Sequence, residues 1–271
     1  MGENFNSKPL SMPDQKVKFH TDRSDLIHFM ENLPYTFREE GTTIKNARNE
    51  IKIINYGGVD MCVKAFNKVT VFNRFMYSWF RSTKAERSYN LAKLLLEKGI
   101  DTPCPLGYVE VKGRWGILKT SFYVSLYQRY DFMLSDILKG EHPEAKEILS
   151  GFARFMAVKV HPAGIWHGDL SPGNVLINKN SLKNYSFSMI DLNRIKVKKR
   201  ITPRKGIRNL QKLTNRPVYL SIMGEEYALA SKNDPLMFAY SLIGSHIATS
   251  LRRRRVKRFL RIFKPKKKAV A

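Results

Sequence analysis

From Glu50 onward, apolar and polar residues alternate along the chain. The runs EIKIINY and VDMCVKAF flank Gly57-Gly58, which predicts a β-hairpin closed by a two-residue turn, with Lys64 on its second strand. The period then lengthens. Between Thr83 and Lys98, Ala85, Tyr89, Ala92 and Leu96 recur at helical spacing and Gly99 follows, so a helix is expected with a glycine just past its end. An aromatic stretch, VFNRFMYSWF, connects hairpin and helix. Further on, GYVEV, WGILK and SFYVSLY read as three short strands, and Ile148, Leu149, Phe152, Phe155 and Met156 mark a second helix that leads into HPAGIWHGDLSPGN. VLIN and SFSMIDL then read as strands around a polar turn, NKNSLKN, with Asp191 at the end of the second.

Hairpin, helix and strands followed by helices enclosing a short hairpin predict an α+β protein with a small sheet-rich lobe and a larger helical one. The expected divisions are a loose polar leader through residue 22, a first lobe over 23–127, a second over 128–250 and a basic tail over 251–271. At 271 residues and 43% hydrophobic content, the chain has enough apolar material for a sizeable core. Its two cysteines, Cys62 and Cys104, exclude a disulfide framework, and no Cys/His group has structural-zinc spacing. The start, MGENFNSKPL, lacks a signal-peptide pattern, and Asn6 stands where a myristoylation signal takes Ser or Thr. The longest apolar stretch begins at Leu236, is interrupted by Ser241, Ser245 and His246, and reads as a buried C-terminal helix rather than a membrane span. A reducing, cytosolic setting is the expectation.

Charge changes this picture. The net charge of +25 calls for an anionic partner. It is concentrated in two acid-free runs, ten Lys or Arg from Arg194 to Arg216 and eleven from Arg252 to Lys268. As a helix, the second run puts Val256, Phe259, Leu260 and Phe263 on one face and cations on the other, a pattern suited to an anionic membrane surface. The alternative is that its apolar face packs on the helical lobe. Nucleic acid is not expected, because interleaved aromatics and a recognisable binding motif are both missing.

Candidate chemistry centres on HGDLSPGNVLI, His167 to Ile177. Phosphoryl transfer from ATP requires neutralised phosphates, a held magnesium ion and an oriented hydroxyl. Asp169, in a loop after a helix, suits the acceptance of a hydroxyl proton; Asn174 offers an amide oxygen and Asp191 a carboxylate as hard metal ligands. Lys64 offers a point charge to the phosphates, with Cys62 on the same strand face. The bland alternatives are turn residues and a solvated strand lysine. His167 reads as scaffold rather than base, and His161 and His246 as ordinary helix residues.

HGDLSPGNVLI and MIDLNR resemble the catalytic loop and metal-binding motif of the protein-kinase-like superfamily, and are most similar to the lipopolysaccharide kinase (Kdo/WaaP) family. The resemblance spans about residues 40–240. It implies a two-lobed protein-kinase-like fold, with Asp169 catalytic, Asn174 and Asp191 on magnesium and Lys64 on ATP. It further implies a glycolipid acceptor of the lipid A/Kdo core, with Kdo or heptose as the sugar, and work at the cytosolic face of the inner membrane. A Gly-rich loop is missing before Lys64, so KNARN, through Arg48, is expected to cover the phosphates. DLN replaces D-F-G. Glu86 is the candidate partner of Lys64, although it lies about 60° off the apolar stripe of its helix and is otherwise solvated beside Arg87 or Asn90. A protein Ser/Thr kinase and an inactive membrane scaffold are the alternative functions.

Overall fold

The computed structural model describes residues 15–67 and 82–262, with the side chains of 257 and 260–262 excepted; the VFNRFMYSWF connection, most of the leader and the last nine residues lie outside them. The chain forms two compact units. One comprises residues up to Tyr130 together with Ser188–Arg194, the other Asp131–Phe187 and residues from Ile195 onward. Asp191 thus groups with the first unit rather than with the expected second lobe.

The first unit is a six-stranded antiparallel sheet of β1 (Lys16–Thr21), β2 (Thr42–Asn46), β3 (Glu50–Tyr56), β4 (Val59–Ala65), β5 (Pro105–Lys112) and β6 (Leu118–Leu126), in spatial order β1-β5-β6-β4-β3-β2. The β3–β4 hairpin forms as expected, with Tyr56 opposite Val59. Gly57 and Gly58 both take positive φ, 58° and 79°, in the left-handed region that a two-residue hairpin turn of this hand requires. Alternation along β4 sorts its residues between two cores. Met61, Val63 and Ala65 join Phe29, Met30 and Leu33 of α1 (Ile27–Thr36) on one face. On the other, Phe66 packs with Ala85 and Tyr89 of α2 (Lys84–Glu97) and with Tyr108. Helix α2 starts where expected, because the Thr83 hydroxyl accepts the Glu86 amide at 3.2 Å and caps it. It ends at Gly99, φ 68°. Leu95 rather than Leu96 completes its buried stripe.

Two expectations need correction here. Lys16–Thr21, placed within the loose leader, forms edge strand β1, and the alternation of KVKFHT buries Val17 and Phe19 partly against the α1 core. WGILK is not a separate strand: Trp115 takes φ 64° in a short turn and the strand begins at Leu118, continuous with SFYVSL. Helix α1 and strand β2 were unexpected.

The second unit carries β7 (Phe132–Met133), α3 (Leu134–Lys139), α4 (Ala145–Phe155), β8 (Ile165–His167), β9 (Val175–Ser181), β10 (Asn184–Met189, ending in the first unit), β11 (Ile195–Val197), α5 (Pro217–Ala230) and α6 (Pro235–Ile262). Strands run β10-β9-β7 in one sheet, and β8 pairs with β11. The polar turn shrinks to Leu182-Lys183 because β9 and β10 extend through exposed positions of NKNSLKN. Helices α5 and α6 cross closely at Gly224, where a Cβ would meet the Ala239 Cα at 2.6 Å. Burial of α6 is confined to one side, at Phe238, Ala239 and Leu242; Leu236, Met237, Tyr240 and Ile247 are exposed, so the expected buried helix is half-buried.

Candidate active site

Within the first unit, Lys64 is delivered by β4 and its Nζ lies 2.7 Å from Asp191 Oδ1, with only 12% of the lysine side chain exposed. Several ties hold the aspartate's segment there. The Met189 amide donates to the Asp101 carbonyl at 2.9 Å, the Thr102 hydroxyl donates to the Met189 carbonyl at 2.7 Å, and Gln128 Nε2 donates to Ser188 Oγ at 2.7 Å. Asp191 lies two residues past β10 with φ 59°, a conformation that costs a non-glycine residue roughly 1 kcal/mol or more and clusters at functional positions. Asn193 Nδ2 donates to the same Oδ1 at 2.5 Å, so the N of DLN holds the carboxylate that the lysine pairs with.

The lysine partner expected from the sequence is not the one paired in this structure. Glu86 sits on the first turn of α2, partly buried, and makes no ion pair with Lys64; among the described residues the carboxylate within ion-pair distance of Lys64 is Asp191. Glu86 lies off the buried stripe of its helix, and its backbone amide is spent on the Thr83 cap. Cys62 occupies the same face of β4 as Lys64, and burial pushes its thiol up to about 11, so it stays protonated near neutral pH and is no nucleophile. Arg48 stands exposed in the turn between β2 and β3.

Within the second unit, β8 delivers the loop of Asp169. The Asp169 amide donates to Nδ1 of fully buried His167 at 3.2 Å, which makes that histidine a scaffold as the sequence suggested. Pro172–Asn174 forms a short 3-10 turn, and Asn174 Nδ2 donates back to the Asp169 carbonyl at 3.0 Å. Asn174 and Asp169 are therefore brought together through the backbone. The amide oxygen of Asn174 accepts no hydrogen bond among the described residues and is left for another donor or a cation.

Sequence reasoning missed what anchors this loop. Buried Asn209 grips the His167 backbone from both sides: its Nδ2 donates to the carbonyl at 2.9 Å and its Oδ1 accepts the amide at 3.3 Å. Since Oδ1 can only accept, His161 presents a protonated Nε2 to it at 3.4 Å and accepts a hydrogen bond from the Tyr227 hydroxyl on Nδ1 at 2.7 Å. His161 is thus not an ordinary helix residue. Burial pushes it down to about 4, so it stays neutral, and the Tyr227 phenol is held well above its usual range by burial. No local signal singled out Asn209, which lies in the mixed stretch IRNLQKL beside Arg208, Gln211 and Lys212.

The family model described as the lipopolysaccharide kinase (Kdo/WaaP) family matches residues 58–228. No curated protein sequence matches the chain. A solved structure described as WaaP in complex with acyl carrier protein superposes with a TM-score of 0.59 at 15% identity, covering 88% of this chain and 98% of that one. A Rio2 kinase complex with ADP, magnesium and phosphoaspartate from Chaetomium thermophilum gives a TM-score of 0.45 at 14% identity, over 84% and 72%. The WaaP likeness shows that the fold is kinase-like, α+β with an antiparallel sheet towards the N-terminus and helices towards the C-terminus. With well over half its length matched by one family model, the chain belongs to the lipopolysaccharide kinase (Kdo/WaaP) family.

Proposed function

We propose that the protein transfers the γ-phosphoryl group of ATP to a sugar hydroxyl of the lipopolysaccharide inner core, with Kdo favoured over heptose as the acceptor. The observation that carries this reading is the Lys64–Asp191 ion pair, formed across 127 residues of sequence inside a chain of kinase family. Asp169 accepts the proton of the acceptor hydroxyl as its oxygen bonds to the γ-phosphorus, and the bond from phosphorus to the ADP oxygen breaks. Lys64, set by Asp191, orients the phosphates; Arg48 and Cys62 line the nucleotide on the same unit.

Asn174 Oδ1, without a protein donor among the described residues, and the Asp191 carboxylate are hard oxygens of the kind magnesium takes alongside phosphates. A magnesium ion held by either group would neutralise phosphate charge during transfer.

No helix among the described residues is long and apolar enough to cross a membrane. We place the enzyme at the cytosolic face of the inner membrane, held by the end of α6. Arg252, Arg253, Arg254, Arg255 and Arg258 are exposed there, and at about 1 kcal/mol for each cation near anionic headgroups they support reversible attachment. The test is transfer of labelled γ-phosphate from ATP to a panel of Kdo-bearing lipid A precursor, heptosylated core and a protein substrate. Label on the Kdo glycolipid supports the reading; label on the protein alone moves it to a protein kinase, and label on none returns the scaffold.

A further inference from the structure

Lys84 opens helix α2, and most of the electrostatic features around it oppose its charge. It occupies the first helical position after the Thr83 cap, at the positive end of the helix dipole. Its ammonium lies 5.9 Å from the centroid of the buried Phe66 ring, and the Lys64 ammonium lies 5.4 Å from the same centroid, so two cations share one aromatic side chain. Burial, Arg48, Arg194 and Lys64 all lower the Lys84 pKa, in that order apart from Asp191, the carboxylate that raises it. No ion pair forms on Lys84 among the described residues, and the chain from Phe66 to Lys84 contains no Asp or Glu that would neutralise it. Lys64 of β4, Arg48 of the β2–β3 turn and Arg194 of the segment after Asp191 therefore all bear on the Lys84 ammonium, with Asp191 the carboxylate that offsets them. Neither Lys84 nor Arg194 was assigned a role from the sequence, although Arg194 closes the MIDLNR motif.

Such a cluster disfavours the ligand-free fold and is relieved by a polyanion. We propose that Lys84 and Arg194, together with Lys64 and Arg48, hold the phosphate chain of the bound nucleoside triphosphate, supplying as side-chain charge what the amides of a glycine-rich loop supply elsewhere. The inference rests on the kinase reading and adds two phosphate-binding residues to it.

The assignment predicts effects of opposite sign. In the full-length protein, Lys84→Gln should raise the melting temperature of the ligand-free form by removing like-charge repulsion, yet weaken binding of ATP and of inorganic tripolyphosphate about tenfold or more. Adenosine affinity should stay within about twofold of wild type, and Lys84→Arg should restore ATP binding. Arg194→Gln, at an exposed position, should repeat the selective loss. Wild-type binding of ATP with unchanged ATP affinity in both Gln variants overturns this inference and leaves the kinase reading intact. Equal losses of adenosine and ATP also overturn it, as the mark of a structural role. Failure of the wild type to bind either ATP or tripolyphosphate overturns the kinase reading and the inference with it.

Discussion

Acidification should loosen the Asp169 loop through His161. The imidazole is 1% exposed, is neutral in the fold with a pKa near 4, and titrates at about 6.5 when the chain unfolds. Above pH 6.5 both states leave it neutral and it adds no pH dependence. As pH falls from 6.5 to about 4, the unfolded chain binds a proton that the folded chain does not, so stability drops by up to ~1.4 kcal/mol per pH unit and levels off below 4. Across that window the loss is roughly 3 kcal/mol, a large part of the ~5–15 kcal/mol that domains possess. The second proton would have to sit on Nδ1, which reverses the bond to the Tyr227 hydroxyl and puts a charge in a site that burial keeps neutral. Urea unfolding of wild type and His161→Gln, followed from pH 7 to 4.5, isolates the effect because the carboxylates titrate equally in both. Wild type should lose about 2 kcal/mol more than the variant over this range. Parallel pH profiles would refute the buried neutral histidine.

Other outcomes follow from the same contacts. Glu86→Gln should change ATP affinity by less than about twofold, since Lys64 pairs with Asp191; a tenfold loss measured by calorimetry would contradict the assigned partner. Deleting residues 252–271 should weaken sedimentation with anionic vesicles while leaving neutral vesicles unaffected, and unchanged sedimentation would leave the tail without a membrane role. Asn209→Ala should lower the transfer rate at saturating ATP without altering ATP affinity, because it frees the His167 backbone while leaving the nucleotide-contacting groups in place; an intact rate would show that the loop needs no such anchor.

Legibility in the sequence followed the range of the interactions. The β3–β4 hairpin and both ends of α2 were readable because a glycine pair, a threonine cap and a glycine past the end act within a few residues. The HGDLSPGN loop was readable for the same reason, since Asn174 reaches Asp169 five residues away. Strand β1 carried an alternating signal in KVKFHT, but its basic, polar surroundings masked a strand whose partner, β5, lies about ninety residues on. What joins distant segments left no local trace. Helical spacing gives the angle at which Glu86 leaves α2 but not which carboxylate reaches Lys64, and the His161–Asn209–His167 grip depends on folding Ile207–Lys212 back against β8.

The central claim is that Asp169 serves the acceptor hydroxyl while other residues bind the nucleotide. Measuring phosphoryl transfer and ATP affinity in parallel for wild type and Asp169→Asn tests it most directly. The account predicts that transfer falls by about 10²–10⁴-fold while ATP affinity stays within about threefold. Transfer at the wild-type rate, or an equal collapse of ATP binding, would contradict it.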